Sequence, residues 1–262
     1  MVNNLHGKKI RVGELDIHYV TGGHGDPLIV VHGGANGAGA WMENVEELAK
    51  NYTIYVPDLP GFGHSQPMEG NYYIPELVEF VDDFSHSLGL KSFHLMGHSL
   101  GGGVALSYVL RFPHKIKKLV LISSMCLGKE IALWVRVLSR SALIRSIGAV
   151  VIGILKGVKW VAEKLFAGVE FVLPFSRVSI HLGSRMTTLR EQTTVLANRL
   201  SEIMVPTLVI WGAKDPIVPV KQAYAAGRLI PGCQVKVFEG CGHSVYRQRI
   251  LEFSLLLTAF LG

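Results

Sequence analysis

A serine flanked by glycines, in Gly97-His98-Ser99-Leu100-Gly101, is the residue of this chain best placed for nucleophilic chemistry. Residues 92–96 before it read as a short buried strand, and residues 102–111 after it read as a helix rich in Ala, Leu and Val. A serine on a sharp strand-to-helix turn projects its hydroxyl beyond the end of a sheet, and small neighbours let the backbone turn and a substrate approach. Alone, the pentapeptide also reads as a glycine-rich turn with a chance serine. A serine hydroxyl is a weak nucleophile at neutral pH. It needs a base, and the base needs a partner that holds its tautomer and stabilises its charge. Both occur further along the chain, in the order Ser, Asp, His. Asp215 lies in Trp211-Gly212-Ala213-Lys214-Asp215-Pro216-Ile217-Val218-Pro219, and His243 lies in Gly240-Cys241-Gly242-His243-Ser244, each just past a strand-like apolar run.

These residues need a scaffold, and the periodicity supplies one. Residues 9–12 and 15–21 read as a strand hairpin. Residues 27–31, 53–56, 92–96 and 118–122 read as buried strands, with helical spacing at 41–50, 74–88 and 102–111 between them. Pro75 suits the first turn of the second helix. Alternation of this kind predicts an α/β fold, a mainly parallel twisted sheet with helices on both faces. In such a sheet Ser99, Asp215 and His243 emerge at one edge, where the strands end and ligands bind. The alternation breaks at Met125 and resumes near residue 204 with a strand at 207–211, a helix at 220–229, a strand at 234–238 and a final helix at 249–261. Between the breaks are helix-like pieces at 131–138, 143–155, 158–166 and 187–200. The expected organisation is a core of residues 1–124 and 204–262 with an inserted helical domain, 125–203.

Composition bounds what the protein can be. Of 262 residues, 49% are hydrophobic and 18% charged, enough to bury a sizeable core. Residues 1–20 carry charges throughout and contain no apolar stretch of the signal-peptide kind. No uncharged apolar run approaches the roughly 20 residues that span a bilayer. Three cysteines, Cys126, Cys233 and Cys241, are too few and too irregular for a disulfide framework or a zinc site, so inert thiols in a reducing cytoplasm are expected. The formal net charge is +6, and all of it lies in one segment: residues 125–203 hold eleven Lys and Arg against five Glu. That surplus suits a solvated helical surface, attraction of anionic substrates, or peripheral contact with an anionic membrane. No recognition motif accompanies it, so nucleic acid is not an expected partner.

Four blocks, in order, resemble the α/β-hydrolase fold superfamily: Val31-His32-Gly33-Gly34; Asp58-Leu59-Pro60-Gly61-Phe62-Gly63-His64-Ser65; Gly97 through Gly102; and Trp211 through Pro219 followed by Gly242-His243. The resemblance covers nearly the whole chain. It implies Ser99 as nucleophile, His243 as general base and acid, and Asp215 as orienting carboxylate. It also implies an oxyanion hole from the backbone N–H groups of Leu100 and Gly34, and it makes the inserted segment a cap. No metal or organic cofactor is needed for such chemistry.

Other residues receive quieter roles. His32 is read as a structural histidine orienting its loop, His98 as a packing residue, Asp58 as part of a turn, and His114 as solvated. Gly33, Asn36, His181, Arg185 and Arg190 are candidate substrate contacts, the two arginines for an anionic group. The implied activity is carboxylesterase-like, on a small to medium hydrophobic or amphipathic molecule. A carbon–carbon bond hydrolase is the alternative, because residues 33–41 are similar to the loop in hydrolases of ring-cleavage products. An aromatic residue often follows the catalytic histidine in those enzymes, and here it is Ser244. Acyl transfer to an acceptor other than water, or a ligand-binding role, are further alternatives.

Overall fold

The computed structural model describes residues 5–34, 37–70, 72–140 and 191–262. The expected helices at 143–155 and 158–166 lie outside these residues, as do Asn36, His181, Arg185 and Arg190.

Eight strands form one sheet in the order β1-β2-β4-β3-β5-β6-β7-β8. They are β1 (His6–Val12), β2 (Leu15–Gly22), β3 (Asp26–Val31), β4 (Tyr52–Pro57), β5 (Phe93–His98), β6 (Ile116–Ile122), β7 (Thr207–Gly212) and β8 (Gln234–Phe238). The hairpin β1–β2 and the β2–β4 pair are antiparallel, and every pairing from β4 through β8 is parallel. Among the described residues the helices are α1 (Met42–Leu48), α2 (Ile74–Ser87), α3 (Leu100–Arg111), α4 (Leu133–Arg140), α5 (Lys221–Leu229), α6 (Val245–Gln248) and α7 (Ile250–Leu261).

The strand sequences explain the layers. Successive side chains along a strand point to opposite faces, so a strand covered on both sides must be apolar throughout. In β6, Leu119 and Leu121 join the core beneath α2 and α3, while Val120 and Ile122 join the core beneath α1 and α7. Strand β5 is buried along its whole length. β1 has almost wholly exposed residues, including Lys8 and Lys9, as an edge strand can. In α2, Ile74, Leu77, Val78, Val81 and Phe84 recur at helical spacing and are buried.

Two local expectations differ from the structure. Within the helix expected over 187–200, the described part is not α-helical: the chain makes a bridge at Gln192, and only Ala197–Glu202 form a turn of 3-10 helix. The Gln192 side chain explains this. Its oxygen accepts the Cys126 N–H at 2.9 Å, and its nitrogen donates to the carbonyls of Gly128 (2.9 Å) and Glu130 (3.1 Å). Its N–H also donates to the Lys129 carbonyl at 2.9 Å, which ties the segment across the chain instead of along a helix. The second difference is at residues 41–50, where a 3-10 turn (Ala38–Trp41) precedes the shorter α1.

Candidate active site

The C-terminal ends of the parallel strands lie in register: Val31 opposite Gly97, His98 opposite Ile122, Ile122 opposite Ile210, and Gly212 opposite Phe238. The loops that follow these ends carry every described residue singled out above for chemistry.

Ser99 joins β5 to α3 with φ 53° and ψ −113°, a conformation that side-chain-bearing residues rarely adopt. Surrounding contacts hold it there. Its N–H donates to the Ile122 carbonyl at 2.9 Å, and its carbonyl accepts from the N–H groups of Gly103 (3.1 Å) and Met125 (3.0 Å). The turn is too close for side chains on its flanks. A Cβ on Gly97 would stand 2.1 Å from the Gly101 carbonyl oxygen, and one on Gly101 would stand 2.1 Å from that of Val31. Ser99 is half-buried between the buried His98 and Leu100.

Asp215 follows β7 and His243 follows β8. Nδ1 of His243 donates to Oδ2 of Asp215 at 2.8 Å, and the other carboxylate oxygen accepts the N–H groups of Ile217 (2.8 Å) and Val218 (3.0 Å). The Asp215 side chain is fully buried and that of His243 nearly so. Burial alone would push the Asp215 carboxyl up. The hydrogen bond and charge of His243 and the two backbone N–H groups more than offset this and hold it below the usual carboxylate range. A proton fixed on Nδ1 leaves Nε2 of His243 as the acceptor. The Lys214 N–H donates to the Cys241 carbonyl at 2.8 Å and so links the two loops, while Trp211 Nε1 closes the Asp215 loop on itself by donating to the Val218 carbonyl at 3.0 Å. Ser99 and His243 share no direct hydrogen bond. They meet through His98, whose Nε2 donates to the His243 carbonyl at 2.9 Å. Contacts of this kind commonly tighten only when substrate binds.

The loop after β3 lies against the elbow. Backbone at Gly33 passes so close that a Cβ there would stand 3.4 Å from the Ser99 Cβ, and one on Gly34 would stand 3.6 Å from Leu100 Cδ2. Leu100 opens α3, so its N–H has no carbonyl one turn back to bind. His32 staples the loop in place: Nδ1 donates to the Gly33 carbonyl at 2.7 Å and Nε2 accepts the Leu59 N–H at 2.9 Å. Accepting the Leu59 N–H requires a neutral ring, and burial pushes His32 in that direction, below the usual histidine range. Asp58 anchors the next stretch, accepting Ala38 N–H (2.6 Å), His64 N–H (3.0 Å) and His18 Nδ1 (2.8 Å). His114 is exposed. Sequence reasoning missed the roles of His98, Gln192 and His18. The position of His98 directly before Ser99 was the available signal for it, whereas Gln192 and His18 carried none.

Among the described residues no group of three or more His, Cys, Asp or Glu could hold a metal ion, and no helix is long and apolar enough to cross a membrane. The three cysteines are free thiols, and burial pushes Cys126 up to about 12 and Cys233 up to about 11.

A family profile described as alpha/beta hydrolase fold matches residues 26–143 and 155–249. The chain belongs to this family, and it is a hydrolase of the α/β fold. It is 26% identical over 282 residues to the 2-hydroxy-6-oxo-2,4-heptadienoate hydrolase of Pseudomonas putida, spanning 100% of this chain and 98% of that one. It is 30% identical over 257 residues to a monoacylglycerol lipase of Xenopus laevis, spanning 92% of this chain and 76% of the relative. In structure it shares the fold of the 2-hydroxy-6-oxo-6-phenylhexa-2,4-dienoate hydrolase of Rhodococcus sp. strain RHA1, with a TM-score of 0.79 at 21% identity over 99% of each chain.

Proposed function

We propose that the protein is a serine hydrolase cleaving an ester bond of a small to medium hydrophobic substrate through an acyl-enzyme. The observation that carries this reading is the buried Asp215–His243 pair, 2.8 Å apart, at the sheet edge where Ser99 is held at a strained φ of 53°. Ser99 Oγ attacks the ester carbonyl carbon, and its proton passes to Nε2 of His243. The resulting oxyanion accepts the N–H groups of Leu100 and Gly34, donors that typically contribute about 3 kcal/mol each to the transition state. His243, its positive charge stabilised by Asp215, protonates the departing alkoxide, and the alcohol leaves. Water then attacks the acyl carbon while His243 takes its proton. Collapse returns that proton to Ser99 and releases the carboxylic acid. Residues 125–203 act as a cap that excludes water, and their positive surplus favours an amphipathic substrate with a negative end. Asn36, His181, Arg185 and Arg190 contact that substrate.

Carbon–carbon hydrolysis is the second reading. The end-to-end match to the Pseudomonas putida dienoate hydrolase supports it, and the positive surplus of residues 125–203 would favour an acidic dienone. One experiment separates the two: turnover of chromogenic acyl esters of increasing chain length and of a ring-cleavage dienone, each beside Ser99→Ala. Ester turnover that requires Ser99 establishes the esterase, and its chain-length optimum sizes the acyl pocket. Fast dienone turnover with poor ester activity moves the assignment to carbon–carbon hydrolysis. Unchanged rates in Ser99→Ala sink both.

A further inference from the structure

His98 is buried at the end of β5, next to Ser99 in sequence, yet its contacts are with the other parts of the site. Nε2 donates to the backbone carbonyl of His243 at 2.9 Å, across 145 residues of sequence. Nδ1 faces the loop after β3, where a Cβ on Gly33 would stand only 2.8 Å away. The ring packs in a box of three others: His243 at 4.8 Å between centroids, Tyr246 at 5.0 Å and Trp41 at 6.4 Å. Trp41 and Tyr246 stack on each other at 4.0 Å, and Asn44 Nδ2 holds the Tyr246 carbonyl at 2.9 Å. One imidazole therefore touches the histidine loop, the Gly33 loop and the serine turn.

We propose that His98 is a positioning residue. Its Nε2–H fixes the backbone of His243 and thereby sets where that ring stands relative to Ser99. This rests on the reading of Ser99 and His243 as nucleophile and base. Burial first, and the neighbouring His243 second, push His98 down to about 3, so the ring stays neutral when His243 takes up a proton. A neutral ring that donates through Nε2 carries no proton on Nδ1, so this role demands one tautomer. A packing residue would need only the shape.

Two polar substitutions distinguish these roles. A glutamine places its amide nitrogen as many bonds from Cβ as Nε2 of histidine, and an asparagine reaches only as far as Nδ1. In His98→Gln, kcat stays within about fivefold of the parent. In His98→Asn, kcat falls by about 30-fold or more with KM within about threefold, since small misplacements of a catalytic group weigh on turnover. Thermal melts accompany both. Equal kcat in the two variants, whether high or low, overturns the proposal. A second measurement needs neither activity nor a stable Asn variant: 15N-histidine spectra of the parent, with the His98 signal identified by its loss in His98→Gln. A neutral Nε2–H tautomer that does not titrate between pH 5 and 9 is required. The Nδ1–H tautomer, or titration in that range, overturns the assignment. A parent that turns over neither esters nor a dienone defeats the functional reading instead, while the tautomer still decides the part played by His98.

Discussion

Oδ2 of Asp215 takes the proton-bearing Nδ1 of His243 at 2.8 Å, while Oδ1 is occupied by two backbone N–H groups of its own loop. The carboxylate is thus held by its own loop as well as by the histidine, so the ring is oriented by a group fixed in place. Asp215→Asn keeps the shape but presents an N–H₂ group that favours the wrong tautomer. The expected result is a fall in kcat of about 10³ to 10⁴ with little change in KM, read from steady-state kinetics on the best substrate. A fall of less than about tenfold would remove Asp215 from the triad.

The elbow tolerates no side chain at Gly97, where a Cβ would sit 2.1 Å from the Gly101 carbonyl oxygen. That contact is with backbone, and neither β5 nor α3 can retreat without opening the core. Gly97→Ala is expected to destabilise by about 3 kcal/mol or more, a drop in Tm of about 6–12 °C for a chain of this size. Differential scanning calorimetry checks it, and an unchanged Tm contradicts the close packing of the turn.

Asp58 links stability to pH. Burial pushes its carboxyl up, but the His18 bond and the N–H groups of His64 and Ala38 outweigh this and hold it below the usual range. A carboxyl lower in the folded than in the unfolded chain stabilises the fold above its unfolded value, near pH 4, and loses that contribution as pH falls through the folded value. Asp58→Asn is therefore expected to be less stable by about 2 kcal/mol at pH 7, with the gap to the parent closing below about pH 4. Urea melts across pH 3–7 test this, and a pH-independent gap would mean that shape alone, not charge, is at work.

Gln192 ties its own stretch of chain to residues 126–130. It satisfies the Cys126 N–H and the Gly128 and Glu130 carbonyls, and Cys126 lies in the turn that also bonds Ser99 through Met125. Gln192→Ala strands the buried Cys126 N–H and removes the donor to the Gly128 carbonyl, while the Glu130 carbonyl keeps Gln222 Nε2 at 2.6 Å; the expected cost is about 2 kcal/mol. The loss is expected in equilibrium unfolding, together with faster amide hydrogen exchange at Cys126. Protection of that amide equal to the parent would show that another acceptor replaces the side chain.

The strands and most helices could be read from the chain because each is specified by contiguous residues. The strand character of residues 92–96, the apolar residues 119–122 and the Pro75 start of α2 are visible without any partner. Reading failed where one side chain overrules local preference. Residues 191–200 have acceptable helical composition, but Gln192 bonds to backbone across the chain and the helix does not form.

The sequence by itself determined the fold and which residues could do the chemistry. A serine in a glycine turn, an acid and a histidine after successive strands, and apolar periods of two and 3.6 are all local patterns. Tertiary structure alone decided how those residues are held. Examples are His98 on the His243 carbonyl across 145 positions, Gln192 on the Cys126 N–H across 66, and His18 on Asp58 across 40. The first two bonds end on backbone groups, and nearly every residue carries the same N–H and C=O. No composition or spacing marks which of them a side chain will find; only the path of the folded chain brings one within 3 Å.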